Sequence, residues 1–293
     1  MENEQIWPVK WGQERRLELI EFRLLWDGKV NRSDLTNFFG ISVPQASLDL
    51  ALYQQRAPKN TQYDKQQKAY IATPEFVPIL VPENPLSYLN QVWQVEAGLA
   101  VKESTFLGWY PSANVVRPPS RTINPIVLRG ILNALQNQQA LEVVYQSMTR
   151  DTPSTRLIAP HTFVFDGRRW HIRSYCYEHK DFRDFVIDRI TECKHTDIQR
   201  TNPDEDTAWN QVVTVILRPA SRLSIAQKKA IADEYAMQDD RLQLPTRKAL
   251  LLYLLKQLPI VTRDSSSKHS QLEIENRDEI LSHIKALGLD FNL

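Results

Sequence analysis

The pair Asp166-Gly167 constrains this chain more than any other two residues, because it stands between two runs of alternating character. His161-Thr162-Phe163-Val164-Phe165 leads into it, and Arg168-Arg169-Trp170-His171-Ile172 leads out. An Asp-Gly so placed is a strong local signal for an antiparallel hairpin. Side chains alternate across a strand. The outgoing strand therefore puts Trp170, Ile172, Ser174 and Cys176 on a face suited to a core, and His171, Arg173, Tyr175 and Tyr177 on a polar one. In the next strand Arg183, Phe185, Ile187 and Arg189 share a face opposite Asp184, Val186 and Asp188. Two readings stand for the polar face. It cradles an anion, with arginines on phosphate and tyrosines stacking on bases, or it is solvated, with long side chains lying over the sheet.

More strands precede the hairpin. Leu141 to Ser147 alternates so that Val143, Tyr145 and Ser147 share a face, and Thr155 to Ala159 reads as a second strand. A helix from Pro125 to Gln136, apolar at Ile126, Leu128, Ile131, Leu132 and Leu135, opens this region. Several short strands with tight turns predict a small barrel or a strongly curved sheet.

The N-terminal segment has a different period. Leu17, Ile20, Leu24 and Leu25 form a helical stripe between Gln13 and Trp26, which Asp27-Gly28 ends. Asn31 or Ser33 can cap a second helix carrying Leu35, Phe38 and Phe39. After the turn Gly40-Ile41, Ser42 caps a third helix to Gln55, with Pro44 in its first turn and Leu48, Ala51 and Leu52 expected to pack it inward. Helix, glycine turn, helix is the layout of a helix-turn-helix, whose second helix reads bases with its N-terminal residues. Those are Ser42, Val43, Gln45, Ala46 and Ser47, with Asp49 nearby. The amide of Gln45 can pair bidentately with adenine. Arg56, Lys59, Lys65 and Lys68 flank Tyr63 and fit a β-wing on phosphates, opposed there only by Asp64. The alternative is a three-helix cap packed on the rest of the chain.

At 293 residues the chain predicts two or three domains. A formal net charge of +1 means that any nucleic-acid affinity comes from local patches. The two cysteines, Cys176 and Cys193, form no Cys-x-x-Cys pair, so neither a disulfide framework nor a zinc site is expected. The first residues lack the pattern of a signal peptide and no apolar run is long enough to span a bilayer, so the expectation is a cytoplasmic protein without a membrane partner. No activated nucleophile, metal-ligand spacing or phosphate-binding glycine loop is present, so no enzyme activity and no cofactor are expected. Prolines recur from Pro74 to Pro125 around one helix, from Leu86 to Ala97, as in a semi-rigid connector. From Asn210 the order reads strand (212–217), helix (224–236), helix (246–258), polar loop (263–268), strand (272–275), helix (278–287).

The hairpin region resembles the WYL domain, named for a Trp-Tyr-Leu triplet that is here Trp170-His171-Ile172. Tyr145-x-Ser147, Pro160-His161, Arg169-Trp170 and Asp188-Arg189-Ile190 carry the surrounding pattern. The whole order resembles WYL transcriptional regulators, most closely those encoded beside phage-defence loci such as BREX systems, which act as homodimeric repressors. The fold this implies is a multidomain α+β chain: a winged helix-turn-helix (1–75), a helical, proline-containing linker (76–125), a Sm-like or SH3-like β-barrel (126–202) and a C-terminal α/β extension for dimerisation (203–293). The resemblance implies a repressor of a phage-defence operon on a pseudo-palindromic double-stranded operator. It also implies a sensor in the barrel, with a nucleotide or single-stranded nucleic acid as the suspected ligand. The matching pocket positions are Tyr145, Ser147, His161, Arg173, Arg183 and Arg189. The alternatives are an RNA- or single-strand-binding module and a nucleic-acid-processing enzyme.

Overall fold

The computed structural model describes residues 11–117, 119, 121–260, 270–289 and 291, so the polar loop read at 263–268 lies outside the described residues. The chain divides into two compact units, Met1–Pro118 and Pro119–Leu293.

The first unit runs α1 (Trp11–Asp27), β1 (Lys29–Val30), α2 (Arg32–Phe39), α3 (Val43–Arg56), β2 (Thr61–Asp64), β3 (Ala69–Ala72) and α4 (Pro85–Glu96). Its sheet order is β1-β3-β2, the wing of a winged helix, and the short β1 had no signature in the sequence. Asn31 and Asp34 form a reciprocal capping box at the start of α2, which ends at Gly40 in the left-handed region (φ 64°). The Ser42 side chain then accepts from Gln45 N and caps α3. Leu17, Ile20, Leu24, Leu35, Ala46, Leu50 and Tyr53 form the core.

The proline-containing segment is not a free connector. Phe22 of α1 stacks on Tyr88 of α4 (centroids 6.1 Å apart) and meets Phe106 edge-on at 5.9 Å. Val92, Phe106 and Leu107 are buried in the same core. Glu21, 0 % exposed, explains how an irregular backbone is held there. Its carboxylate accepts from the amides of Ile79 (2.9 Å), Leu80 (2.5 Å) and Val81 (2.7 Å) and from the Tyr53 hydroxyl (2.9 Å). Three donors that prolines leave without a ladder thus bond to one buried charge, which needs such partners to be tolerated.

The second unit runs α5 (Pro125–Asn137), β4 (Gln139–Tyr145), β5 (Ser154–Phe165), β6 (Trp170–Cys176), β7 (Asp181–Val186), β8 (Ile190–Gln199), α6 (Thr207–Asn210), β9 (Val212–Pro219), α7 (Ile225–Glu234), β10 (Leu242–Arg247), α8 (Leu251–Gln257), β11 (Leu272–Ile274) and α9 (Arg277–Ala286). Five strands form an antiparallel sheet in the order β7-β6-β5-β4-β8. A single turn, Ile187–Arg189, joins the two edge strands. Edges of a flat five-stranded sheet would lie about 19 Å apart, whereas the four residue steps from Val186 to Ile190 reach at most about 14 Å. The sheet must therefore curl. It does not close as a hydrogen-bonded barrel: among the described residues no ladder joins β7 to β8.

The strand expected at 155–159 and the run from His161 are one strand, β5, with a register shift between Pro160 and Thr162. A second sheet, β10-β9-β11, packs with α7, α8 and α9. Residues 242–247 form a strand that was not expected, its last two residues falling where a helix from Thr246 was read, and that helix begins at Leu251 after a turn. Pro245 is accommodated because β10 is an edge strand.

Candidate functional site

Two sets of residues drew attention in the sequence, and the structure treats them differently. In the first unit α3 leaves Val43 56 % and Leu48 63 % exposed, and Ala51 is exposed as well. The inward face of α3 is instead Ala46, Asp49, Leu50 and Tyr53. The expected packing of Leu48 and Ala51 is thus corrected by about one residue of helical phase. Asp49 sets that phase: it is buried and takes Arg16 Nε at 2.6 Å and Nη2 at 3.3 Å. The Gln45 amide donates to Asp49 Oδ1 at 3.1 Å, so its nitrogen is engaged within the protein. The Ser47 hydroxyl donates back to the Val43 carbonyl at 3.0 Å.

Arg56 does not stand with the wing lysines. Its side chain is largely buried and meets Glu14 at 3.5 Å. Lys65 and Lys68 are exposed in the turn between β2 and β3, where Lys68 takes a left-handed conformation (φ 51°). Asp64, the one acid there, is engaged within its own turn: its Oδ1 accepts from the amides of Gln66 (2.7 Å) and Gln67 (3.0 Å), and these bonds hold its carboxyl below the usual range. Lys59 pairs with Glu75 at 3.3 Å on the open surface. Lys29 joins the wing by reaching Gln67 Oε1 at 3.5 Å, a neighbour that only the β1-β3 pairing reveals.

In the second unit the polar face of β6 is neither solvated nor open. His171 and Arg173 are buried, while Trp170, expected in the core, is 46 % exposed. Trp170 lies beyond the end of the core against Phe165, with ring centroids 4.9 Å apart. The C-terminal region covers the polar face. Asp206, which caps α6 by accepting from Trp209 N at 3.0 Å, is 1 % exposed. It receives Arg173 Nε at 2.7 Å, Arg173 Nη2 at 2.9 Å and His161 Nε2 at 3.2 Å. Burial raises its carboxyl pKa, but hydrogen bonds from His161 and Arg173 and the charge of Arg173 outweigh that and hold it far below the ordinary range. Arg173 Nη1 also reaches Asp184 at 3.2 Å. The Tyr253 hydroxyl of α8 donates to the other Asp184 oxygen at 2.9 Å, and burial with the nearby carboxylate keeps that phenol protonated.

A second cluster lies alongside. His171 Nε2 donates to Asp166 Oδ2 at 2.9 Å and its ring lies 5.1 Å from that of Tyr253. Burial raises the Asp166 carboxyl, but the bonds from His171 and from the Arg168 and Arg169 amides win and hold it at about 2.

The expected pocket residues are not all brought together. His161 is the extra residue of the β5 bulge, since Pro160 pairs with Ser174 and Thr162 with Arg173. A bulge re-aims a side chain, and here the ring turns onto Asp206 between Phe182 (5.7 Å) and Trp209 (5.6 Å). Tyr145 is buried in the core edge-on to Phe185, at 5.1 Å. Ser147 lies past β4 in a turn, bonded to Thr149. Arg183 is exposed and pairs across the ladder with Ser174, on the face opposite Arg173. The expected alternation to Ile187 and Arg189 stops at Val186, where the turn rotates Ile187 into the core.

A cavity of about 610 Å³ opens beside the network, lined among others by Arg173, Arg183, Asp184, Asp206, Lys248 and Tyr253. Such a volume lies within the range of small-molecule sites. Sequence reasoning missed Asp206, Tyr253 and Lys248, which lie in a region where no periodicity marks a site. Among the described residues no cluster of His, Cys, Asp and Glu could hold a metal ion, and no helix is long and apolar enough to cross a membrane.

Comparison with known proteins bears on all three segments. Residues 12–94 match the winged helix-turn-helix domain of the BrxR transcriptional regulator, residues 126–195 the WYL domain, and residues 212–280 the C-terminal dimerization domain of the BrxR transcriptional regulator. A protein of Pseudomonas aeruginosa named DNA-binding transcriptional repressor CapW is 42 % identical over 274 residues, covering 93 % of this chain and 92 % of its own. One of the same name from Stenotrophomonas maltophilia is 40 % identical over 283 residues, covering 96 % and 95 %. Among solved structures, proteasome accessory factor B/C (PafBC) of Arthrobacter aurescens matches 97 % of this chain and 50 % of its own at 13 % identity, with a TM-score of 0.27. This chain spans half the length of that structure.

Proposed function

The chain belongs to the family of BrxR-type WYL regulators that includes the CapW transcriptional repressors, and from that premise we propose that it is a homodimeric DNA-binding repressor of a phage-defence operon. The observation that carries the reading is the outward face of α3, where Val43 and Leu48 stand exposed on the helix that precedes a wing bearing Lys65 and Lys68. Ser42, Val43, Gln45 and Ser47 face bases in this reading, Gln45 after exchanging its Asp49 contact for adenine. Leu48, with no polar atom, fits a thymine methyl group. Lys59, Lys65 and Lys68 take phosphates, while Arg56 braces α1 through Glu14. In a two-fold dimer two such helices need half-sites separated by whole turns of the duplex, hence a pseudo-palindromic operator.

The curled sheet, a partly open counterpart of the Sm-like barrel, holds the sensor. Asp206 occupies Arg173 and His161 as a phosphate would, with a fork-to-carboxylate pairing. A nucleotide or single-stranded nucleic acid whose phosphate enters the cavity competes with Asp206 for these donors. Asp206 lies in the stretch leading into the segment that matches the dimerization domain, so its release couples ligand to dimer geometry. Only such a difference in affinity between two arrangements can shift DNA binding. The test is a gel shift on the DNA upstream of the coding sequence, over a salt series. We expect a complex with an inverted repeat, a scrambled repeat bound far more weakly, and affinity that falls linearly with log salt. Equal affinity for scrambled and natural DNA overturns the operator reading.

A further inference from the structure

We propose that the tip of the β5–β6 hairpin carries a second anion site, distinct from the cavity beside Asp206, that takes a phosphate or diphosphate group. The cavity there is about 230 Å³ and is lined by Arg121, Arg168, Arg169, Lys256, Tyr253, Gln257 and Asp166. Four cations thus surround one carboxylate, in a chain whose formal net charge is only +1.

That carboxylate meets the charge of only one of the four cations, Arg169, and its remaining bonds go to backbone amides and to His171. Asp166 Oδ1 accepts from the amides of Arg168 and Arg169, both at 2.9 Å, and Oδ2 takes His171 Nε2 at 2.9 Å with Arg169 Nε at 3.4 Å. Arg121 reaches Asp188 at 3.2 Å but stays half-exposed, and Arg168 and Lys256 have no carboxylate partner among the described residues. Like charges gathered this closely repel unless an anion joins them.

The site is also preorganised. Gly167 takes φ +83°, a conformation that residues with a side chain rarely adopt, and its turn comes close to the Gln257 side chain of α8, 2.6 Å from where a Cβ would lie. The same Gln257 nitrogen donates to the Asp166 carbonyl at 2.5 Å, fixing the hairpin tip on α8. Tyr253 lines both cavities, its ring against His171 and its hydroxyl on Asp184. The cavity is smaller than the roughly 300–1,000 Å³ that encloses a whole small molecule, so it suits a charged head group and leaves the remainder of a ligand outside. Guanidinium forks match phosphate oxygens in geometry as well as charge.

The experiment is calorimetric titration of the full chain with inorganic phosphate, inorganic pyrophosphate and a thymidine tetranucleotide with or without a 5′-phosphate. Pyrophosphate is expected to bind. The double variant Arg168→Ala/Lys256→Ala should weaken it at least tenfold, whereas Lys194→Ala, exposed on β8 and lining neither cavity, should leave it unchanged. Tighter binding of the phosphorylated tetranucleotide than of pyrophosphate identifies a nucleotide end as the source, and equal binding a free phosphate. The proposal is overturned if the wild-type chain binds no phosphate species, if the double variant binds as well as wild type, or if Lys194→Ala weakens binding as much as the double variant does. A gel shift of each variant keeps this outcome separate from the repressor reading, because neither lysine nor Arg168 faces DNA in that reading.

Discussion

Replacing Asp206 by Asn keeps the volume of the side chain and removes its charge. The native carboxylate receives two bonds from Arg173 at 2.7 and 2.9 Å, one from His161 at 3.2 Å and one from Trp209 N at 3.0 Å. An amide offers one acceptor oxygen and turns its own N–H groups on the remaining donors. Removing one partner of a buried ion pair costs about 3–5 kcal/mol. Arg173 retains Asp184 at 3.2 Å, which places the expectation at the lower end, about 3 kcal/mol. The loss falls on local opening of the 203–211 stretch, so amide exchange there reads it directly. At about 1.4 kcal/mol per factor of ten, exchange should speed up roughly a hundredfold. The informative amides are Asn210 and Gln211, bonded to the Asp206 and Thr207 carbonyls, and Lys248, bonded to that of Gln211. Amides of α3 in the other unit serve as the reference and should not change. An acceleration below about threefold would show that Arg173 and His161 do not hold this stretch to the sheet, and the competition mechanism would fall with it.

Glu21→Gln should cost about 1.5–3 kcal/mol, since at least one of four donors loses its acceptor, and a lower melting temperature for the first unit by circular dichroism checks it. Asp166 and Asp206 both have carboxyl groups held below the ordinary 3.8, Asp166 at about 2. A depressed folded pKa gives stability that is full above pH 3.8 and is lost as pH falls through the folded values. The urea midpoint should therefore fall steeply between about pH 4 and pH 2, and less steeply in Asp166→Asn, whose position no longer titrates. Lys65→Ala and Lys68→Ala should each weaken binding to any DNA and reduce the salt slope by about one. Leu48→Ala should change base preference with the slope intact, as competition gel shifts on variant half-sites would reveal.

Local signals were legible where chemistry is local. Asn31, Gly40 and Ser42 cap or end helices by bonds to residues a few positions away, and the hairpin at Asp166-Gly167 needs only its own two strands. What could not be read was pairing across distance. The phase of α3 depends on Arg16, 33 positions from its partner Asp49. The fate of the β6 polar face depends on Asp206, 33 positions from Arg173, and on Tyr253, 69 positions from Asp184. Alternation correctly separated Arg173 from Ile172, yet a strand covered on both sides alternates between two interiors rather than between core and water. The two-residue β1 is too short for any periodicity to mark, and Pro245 disguised β10.

Strand β5 is one residue longer than its neighbours require. Pro160 pairs with Ser174 and Thr162 with Arg173, so the ladder would run without a break if His161 were deleted. Phe163 would still face Ile172 and Val164 would still face His171. Sheet registration therefore makes no use of the one position whose ring rests on Asp206. A chain shortened there should keep its strands in step and lose only the contact, which makes the deletion a cleaner probe of this imidazole than any substitution.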